Sequence, residues 1–202
     1  MGLLAPAISR AQAQAKSVQC KSNLRQIGQA MLMYANEHNG DLFPTDIIPP
    51  EIHGIAPINQ CWFLYVLHPK PPLDQSSTNR RDWTPQILIC PADVEDPANY
   101  HSYVLNEHLH ERGIRFHTLN IRQRTADRVV VMGEKVSSLG DYYLQTQPDT
   151  GSEYHKLLER YRHGIHLRSN YLYLDLHVDN DAPQDNAGGV DPWDVLPAGG
   201  AS

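Results

Sequence analysis

The sequence predicts an α+β domain in which one long N-terminal α-helix packs across an antiparallel β-sheet. Residues 170–178 alternate apolar and polar side chains, the pattern of a strand with one buried face. Ahead of them, short apolar runs are separated by turn-forming residues, as in a sheet of short strands. Near the N-terminus, apolar side chains recur at steps of three and four along one helix face: Cys20, Leu24, Ile27, Met31 and Tyr34.

The N-terminal helix is predicted over residues 3–38, and Asn39-Gly40 followed by Pro44 supplies its stop signal. At 1.5 Å per residue it would extend roughly 50 Å, which exceeds what the core of a domain of this size requires. Packing within one domain therefore does not account for its length. The residues expected to face the sheet are Leu24, Ile27 and Met31, and those expected in solvent are Arg25 and Gln29.

The globular α+β body is predicted over residues 39–178, and an acidic, irregular tail over residues 179–202. The body should contain short helices at 58–68 and 152–161 and strands at 86–90, 101–105, 113–119, 128–134, 142–147 and 170–178. The last strand should turn Leu172, Leu174, Leu176 and Val178 to the core and Tyr171, Tyr173, Asp175 and His177 to solvent. Within the tail, only Trp193 is expected to dock on the body.

Composition and charge narrow the classes of partner. The chain has 202 residues, 41% of them hydrophobic, which is typical of one globular domain. No window holds 18 uninterrupted apolar residues, so the sequence as given contains no predicted transmembrane span. The whole chain has a net charge of −6. Residues 3–38 contain four Lys or Arg and a single acidic residue, Glu37, so the rest of the chain has a net charge of −9. An acidic body argues against nucleic acid as a partner.

Candidate catalytic and metal-binding residues are few. The eleven histidines are scattered and form no H-E-x-x-H pair, and no G-x-S-x-G turn or phosphate-binding glycine loop is present. Glu107, His108 and His110 come nearest to a zinc cluster, but surface polar residues explain them better, since a zinc site needs three or four converging ligands. Asp179, Asp181 and Asp185 offer oxygen ligands for calcium, although they lack the spacing of an EF-hand loop. The chain is therefore expected to be no enzyme and to need no cofactor, with calcium as the alternative.

Several short motifs follow one another along the chain in a recognisable order. The helix carries L-A-P-A-I-S-R-A at residues 4–11 and C-K-S-N-L-R-Q-I-G-Q-A-M at residues 20–31. C-P-A-D follows at 90–93, S-Y-V-L-N at 102–106 and R-H-G at 162–164, and D-L-H-V ends the series at 175–178. Together these motifs resemble those of type II secretion pseudopilins and related prepilin-type proteins. The residues that carry the resemblance are Cys20, Asn23, Leu24, Ile27, Cys90, Pro91, Asp93, Tyr103, Asn106, His163, Asp175 and His177.

Two features depart from the family pattern. The family's C-terminal motif is a His, nine residues, and then Asp-Gly, whereas here eleven residues separate His163 from Asp175 and eight separate His166 from it. Leu176 also stands where the motif has glycine. Such proteins begin with a prepilin peptidase site and an apolar membrane anchor, and both are expected upstream of Leu3 in the full-length form.

The resemblance implies a pilin-like fold and a non-enzymatic structural role. The chain would be a pseudopilin-like subunit of a type II secretion or type IV pilus-like filament, on the periplasmic side of the bacterial inner membrane. Its partners would be other pseudopilin subunits, met through the N-terminal helix, and the inner membrane in the full-length form. The chain as given is expected to be soluble and mostly monomeric. The alternatives are a periplasmic glycan- or protein-binding module that uses the tyrosine-rich face of the last strand, and a metal-dependent hydrolase.

Two local contacts remain to be tested by structure. The three cysteines allow one disulfide and one free thiol, and the bridge could join Cys20 to Cys90 or Cys61 to Cys90, with a buried reduced Cys20 as the alternative. His163 is expected to make a polar contact with Asp175, and His166 competes with it for this role.

Overall fold

The computed structural model describes residues 4–41, 66–67, 85–95, 101–106, 109, 120–121, 124–140, 143–144, 156–180 and 193. Within them the chain combines one long helix with a five-stranded sheet, an α+β arrangement of the predicted class. In this part of the chain, no helix has both the length and the apolar character that a membrane crossing requires.

The long helix α1 spans Leu4–Glu37. Gly40 closes it, with a φ of 87° and a hydrogen bond of 2.6 Å from its N–H to the carbonyl of Ala35, so the predicted stop signal is confirmed. Arg25 and Gln29 are exposed, as predicted. In the part of α1 whose burial is described, the fully buried side chains are those of Cys20, Leu24, Ile27, Met31 and Ala35. The predicted core face is therefore confirmed, except that Tyr34 on the same stripe is half-buried.

Seven short strands follow the helix in the described residues. They are β1 (Tyr103–Asn106), β2 (Asn120–Ile121), β3 (Arg124–Thr125), β4 (Val130–Glu134), β5 (Tyr143–Leu144), β6 (Tyr171–Tyr173) and β7 (Val178–Asp179). The main sheet has the order β5-β1-β4-β6-β7, and β2 pairs with β3 in a separate hairpin. Four of the five strands in the main sheet pair antiparallel, while β5 lies parallel to β1 at the edge.

The sheet is buried on both faces. One face packs against α1 in a core that includes Leu105, Val131 and Leu172. The other face holds a smaller core around Val130 and Tyr171, covered by Trp193. Trp193 is fully buried and meets the Tyr171 ring edge-on at 6.4 Å, so its expected docking is confirmed. Two-sided burial explains why all five residues of β4 are buried.

The last predicted strand, residues 170–178, is wrong as one continuous element. It breaks into β6 and β7 at a turn in which the Tyr173 N–H donates to the carbonyl of His177 at 3.0 Å and Leu176 takes a φ of 72°. The expected solvent face is also wrong for Tyr171 and Tyr173, which are buried. Alternation predicts two different faces, but it cannot show that a tryptophan twenty residues away covers the second one.

Two further predicted elements differ from the structure. Residues 86–90 form no strand: Gln86–Leu88 is a 3₁₀ turn, begun by the Leu88 N–H bond to the carbonyl of Pro85. The described part of the predicted helix at 152–161 is no α-helix, because its backbone bonds to the end of β4 through Val136 and Glu159. Strands predicted at 101–105, 128–134 and 142–147 correspond to β1, β4 and β5. The predicted helix at 58–68, apart from residues 66–67, and the predicted strand at 113–119 lie outside the described residues.

Candidate functional site

Four titratable side chains from distant parts of the chain meet between α1 and the sheet. They are Cys20, Cys90, Glu134 and His163, and all four are buried. One sulfur, oxygen or nitrogen atom from each side chain lies within 4.8 Å of the corresponding atoms of the other three. We call these four residues the Cys-Glu-His cluster.

The two cysteines are carried by different elements. Cys20 projects from the core face of α1, on the stripe that contacts the sheet. Cys90 begins a tight turn in which the Asp93 N–H donates to the Cys90 carbonyl at 2.9 Å. The Cys90 N–H is itself held by the hydroxyl of Ser102 at 3.0 Å. Both cysteines are free thiols in this structure, so the possible Cys20–Cys90 bridge is not formed, and Cys20 matches the alternative of a buried reduced cysteine.

Glu134 and His163 enter from the sheet side. Glu134 is the last residue of β4. His163 lies in a compact loop, where its N–H donates to the carbonyl of Arg168 at 3.1 Å. Gly164, at a φ of 95°, makes the sharp turn after it, in a region of backbone space that favours glycine.

The Glu134 carboxylate is the centre of the hydrogen-bond network. Its Oε1 accepts from Cys20 Sγ at 2.6 Å and lies 2.9 Å from His163 Nε2. Its Oε2 accepts the backbone N–H of Asn170 at 3.0 Å. A fully buried carboxylate is tolerated only when its lone pairs are satisfied in this way.

The two sulfurs have additional polar neighbours. The Tyr103 hydroxyl lies 2.8 Å from Cys20 Sγ, and Cys90 Sγ lies 3.7 Å from His163 Nε2. Within the described residues, His163 Nδ1 is buried without a hydrogen-bond partner. The imidazole therefore acts on the cluster through Nε2 alone.

Burial and mutual contact set the protonation of these groups. Burial raises the pKa of Cys20 well above its ordinary value, whereas the hydrogen bond with Cys20 lowers the pKa of Cys90. Burial acts to raise the pKa of Glu134, but the hydrogen bond and charge of His163 outweigh it and hold that pKa low. Burial likewise acts to lower the pKa of His163, yet its bonds with Cys90 and Glu134 raise it to about 9. The cluster thus combines a carboxylate, an imidazolium and two thiol groups in an apolar setting.

A buried ion pair braces the same region. Arg162 Nη1 lies 2.8 Å from Asp93 Oδ1. The Ser137 hydroxyl joins both partners, donating to Asp93 at 2.6 Å and accepting from Arg162 at 2.9 Å. Arg162 also donates to the backbone carbonyl of Lys135. The pair links the turn after Cys90 to the loop before His163, which are the segments that carry two members of the cluster.

The expected contact between His163 and Asp175 is wrong. His163 is buried and bonds to Glu134, whereas Asp175 is exposed and lies 2.5 Å from Nδ1 of His177. His166, the expected competitor, is exposed. The cause is the turn between β6 and β7, which carries Asp175 away from the sheet interior.

Other residues singled out in the sequence act in structure. Asn23 donates to the carbonyl of Ile89 at 3.2 Å, and Asn106 donates to the carbonyls of Val130 and Trp193 at 2.9 Å each. Pro91 lies exposed in the turn after Cys90.

The calcium candidates divide between described and undescribed residues. Asp179 is exposed and caps the Asn180 N–H at 2.7 Å. The remaining candidates of the sequence analysis lie outside the described residues: Asp181, Asp185, Glu107, His108, His110 and Cys61.

Glu134 is the member of the cluster that no sequence motif marks, because its only distinguishing feature in the sequence is its position at the end of a predicted strand. No motif of neighbouring residues predicts the cluster, because Cys20 and Glu134 are 114 residues apart in the sequence and Cys90 and His163 are 73 residues apart. A motif such as H-E-x-x-H can be recognised in a sequence because one helix turn brings its metal ligands together. In this chain, the sheet and the packing of α1 against it bring the four side chains together.

Comparisons with known proteins found no relative of this chain. No protein-family model, no curated protein sequence and no solved structure matches the chain.

Proposed function

We propose that this chain is a non-enzymatic, pilin-like structural subunit that assembles with further copies of itself through the N-terminal half of α1. The observation that carries this proposal is the length of the helix relative to the body. Among the α1 residues whose burial is described, which begin at Pro6, Ser17 is the first buried one, and residues 6–16 are exposed except for the half-buried Ala13. At 1.5 Å per residue, the segment from Leu4 to Lys16 extends about 20 Å beyond the packed part.

The surface of the projecting segment suits helix packing. Ile8, Ala11, Ala15 and Val18 recur at steps of three, four and three, the spacing of a coiled-coil seam. Ile8 and Val18 keep 55% and 61% of their surface exposed. At about 100° per residue, this outer stripe lies on the side of α1 opposite to Cys20 and Leu24. A second helix can therefore pack there while the body stays on the sheet, and alanines allow its backbone to approach closely.

Two features support the pilin-like assignment. The first is the layout, with the C-terminal half of one N-terminal helix packed across a mainly antiparallel sheet. The second is Leu176, which stands where the resembled motif has glycine and adopts a φ of 72°. This left-handed conformation is one that glycine adopts at no steric cost, which suits a position where the resembled motif has glycine.

In the proposed assembly, projecting helices pack together at the centre and the acidic bodies face outward. The subunit would act at the periplasmic side of the inner membrane. Like-charged bodies repel one another, which favours contact through the helices over contact through the bodies.

The glycan- or protein-binding alternative loses the feature that motivated it, whereas the residues that motivated the hydrolase, Glu107, His108 and His110, lie outside the described residues. A glycan- or protein-binding module was to use the tyrosines of the last strand, but Tyr171 and Tyr173 are buried, and the Tyr171 hydroxyl donates to the carbonyl of Glu159 at 3.0 Å. A hydrolase needs titratable groups that a substrate can reach. The members of the Cys-Glu-His cluster are all buried.

Site-specific cross-linking tests the proposed assembly. Ile8→Cys and Val18→Cys would each be made in a Cys61→Ser background and treated with a short bifunctional maleimide at high protein concentration. Cys20 and Cys90 are buried, so the introduced thiol is the reactive one in the folded chain. We expect covalent dimers at both positions, because the outer stripes of two copies meet.

Arg10→Cys is the matched control, since Arg10 is exposed on the same segment but lies off the outer stripe. Its cross-linking yield should be several-fold lower than that of Ile8→Cys. Monomer alone at all three positions, or equal yields on and off the stripe, would refute assembly through this face.

A further inference from the structure

We propose that the Cys-Glu-His cluster is a structural zinc site with Cys20, Cys90, Glu134 and His163 as its four ligands. The inference stands on the cluster alone and is independent of the proposed assembly role. Two thiolates, one imidazole nitrogen and one carboxylate oxygen form a donor set that Zn²⁺ binds in tetrahedral geometry. The four ligand atoms already lie within 4.8 Å of one another, so no rearrangement of the fold is needed to gather them.

The distances fit a tetrahedral ion with small adjustments. In a tetrahedral zinc site a thiolate and an imidazole nitrogen lie about 3.6 Å apart, and Cys90 Sγ lies 3.7 Å from His163 Nε2. Glu134 Oε1 lies 2.9 Å from His163 Nε2 and 2.6 Å from Cys20 Sγ. Those contacts are hydrogen bonds from protonated donors to the Glu134 carboxylate, and a zinc ion in place of the protons would widen them to about 3.4 and 3.6 Å. The required shifts are at most about 1 Å and fall within side-chain rotations.

Charge balance also favours a cation. Zinc replaces three protons, those of the Cys20 and Cys90 thiols and the Nε2 proton of the His163 imidazolium, leaving two thiolates, a carboxylate and a neutral imidazole around a 2+ ion. The resulting single negative charge is stabilised by two donors already in place. The Asn170 N–H holds Glu134 Oε2 at 3.0 Å, and the Tyr103 hydroxyl lies 2.8 Å from Cys20 Sγ. Such outer contacts orient the ligands of metal sites.

The position of the cluster indicates a structural and not a catalytic ion. All four ligands come from the protein and all are buried, so no open coordination position faces solvent. The ligands come from α1, the turn at Cys90, the end of β4 and the loop at His163. An ion there would tie the helix to the sheet near the point where α1 leaves the body.

The alternative to zinc binding by Cys20 and Cys90 is a disulfide bond between them. It needs sulfurs about 2.05 Å apart, and it would remove both thiolate ligands. A disulfide and a zinc ion therefore exclude each other, and one measurement separates them.

The test uses the full chain, freed of metal with a chelator under reducing conditions and then titrated with Zn²⁺ and, separately, with Co²⁺. We expect one equivalent of Zn²⁺ per chain, a rise in melting temperature on its addition, and Co²⁺ absorption with thiolate charge-transfer and tetrahedral ligand-field bands. No stoichiometric uptake by the reduced, folded chain would overturn the proposal. A Cys20–Cys90 disulfide in chain isolated without reductant would overturn it as well.

Matched variants assign the ligands. Cys20→Ser, Cys90→Ser and His163→Gln should each lose stoichiometric Zn²⁺ binding, whereas Cys61→Ser and His177→Gln should keep it. Retained binding in either cluster cysteine variant would refute the assignment. Circular dichroism monitors folding of every variant.

If a ligand variant fails to fold, Tyr103→Phe still tests the site. It keeps the ring and all four ligands but removes the hydroxyl beside Cys20 Sγ. Zn²⁺ affinity should fall about 10- to 100-fold, as is usual for the loss of an outer contact. Unchanged affinity together with an absent cobalt thiolate band in the wild-type chain would rule out the site.

Discussion

Gly133 in β4 offers a sharp test of how the second core is packed. An added Cβ at this position would lie 2.5 Å from Cδ1 of Tyr171 and 2.8 Å from Cζ2 of Trp193. Carbon atoms in contact normally stay about 3.5–4.0 Å apart, so Gly133→Ala would require both rings to move by about 1 Å. Neither ring is free to do so, because the Tyr171 hydroxyl bonds to the Glu159 carbonyl and Trp193 is fully buried.

The expected cost follows from two opposing effects. Overpacking a well-filled core typically costs about 1–3 kcal/mol, and the two short contacts place Gly133→Ala near the upper end. Replacing glycine with alanine in a strand restores about 0.5–1 kcal/mol, because the unfolded chain has less freedom to lose. The net loss should be about 2 kcal/mol, which in a chain of this size lowers the melting temperature by about 4–8 °C.

Thermal and urea denaturation of Gly133→Ala would measure this loss, with tryptophan fluorescence as a local reporter. Gly28→Ala is the matched control: its Cβ would lie 3.1 Å from methyl ends of Leu172 and Leu176, which can yield. There the gain in helix propensity of about 1 kcal/mol offsets the crowding. The reasoning fails if Gly133→Ala melts with the wild-type chain, or if Gly28→Ala is destabilised equally.

Three more predictions concern buried contacts. Ile27→Ala should cost about 2–4 kcal/mol in urea unfolding, because the side chain is fully buried against the sheet; an unchanged unfolding midpoint would contradict this. Arg162→Met should lower the free energy of unfolding by about 3–5 kcal/mol, because it leaves the Asp93 carboxylate buried and unpaired. Adding Asp93→Leu to this variant should restore part of the lost stability. Strictly additive costs of the two substitutions would argue against the ion pair. Trp193→Ala should cost about 3–5 kcal/mol and remove the near-ultraviolet dichroism of the second core, whereas a stable variant would show that the residue does not support that core.

The buried face of α1 could be predicted from the sequence because it depends only on the local geometry of a helix. Steps of three and four place Cys20, Leu24 and Ile27 on one side of any helix, whatever packs there. The strand that contains Val130 was readable for a similar reason, since a run of β-branched residues suits a buried strand. The turn that divides the last predicted strand was not readable, because Leu176 is an unusual residue for a positive φ.

The α+β class, the long helix and its core face could all be predicted, since each follows from periodicity within a single segment. The meeting of residues from distant segments could not, because it depends on how the helix and strands pack. Glu134 became the partner of His163 because β4 ends beside the loop that carries the histidine, and Asp175 lost that role because a turn directs it into solvent. Contacts between residues far apart in sequence depend on strand order and register, which no local pattern encodes.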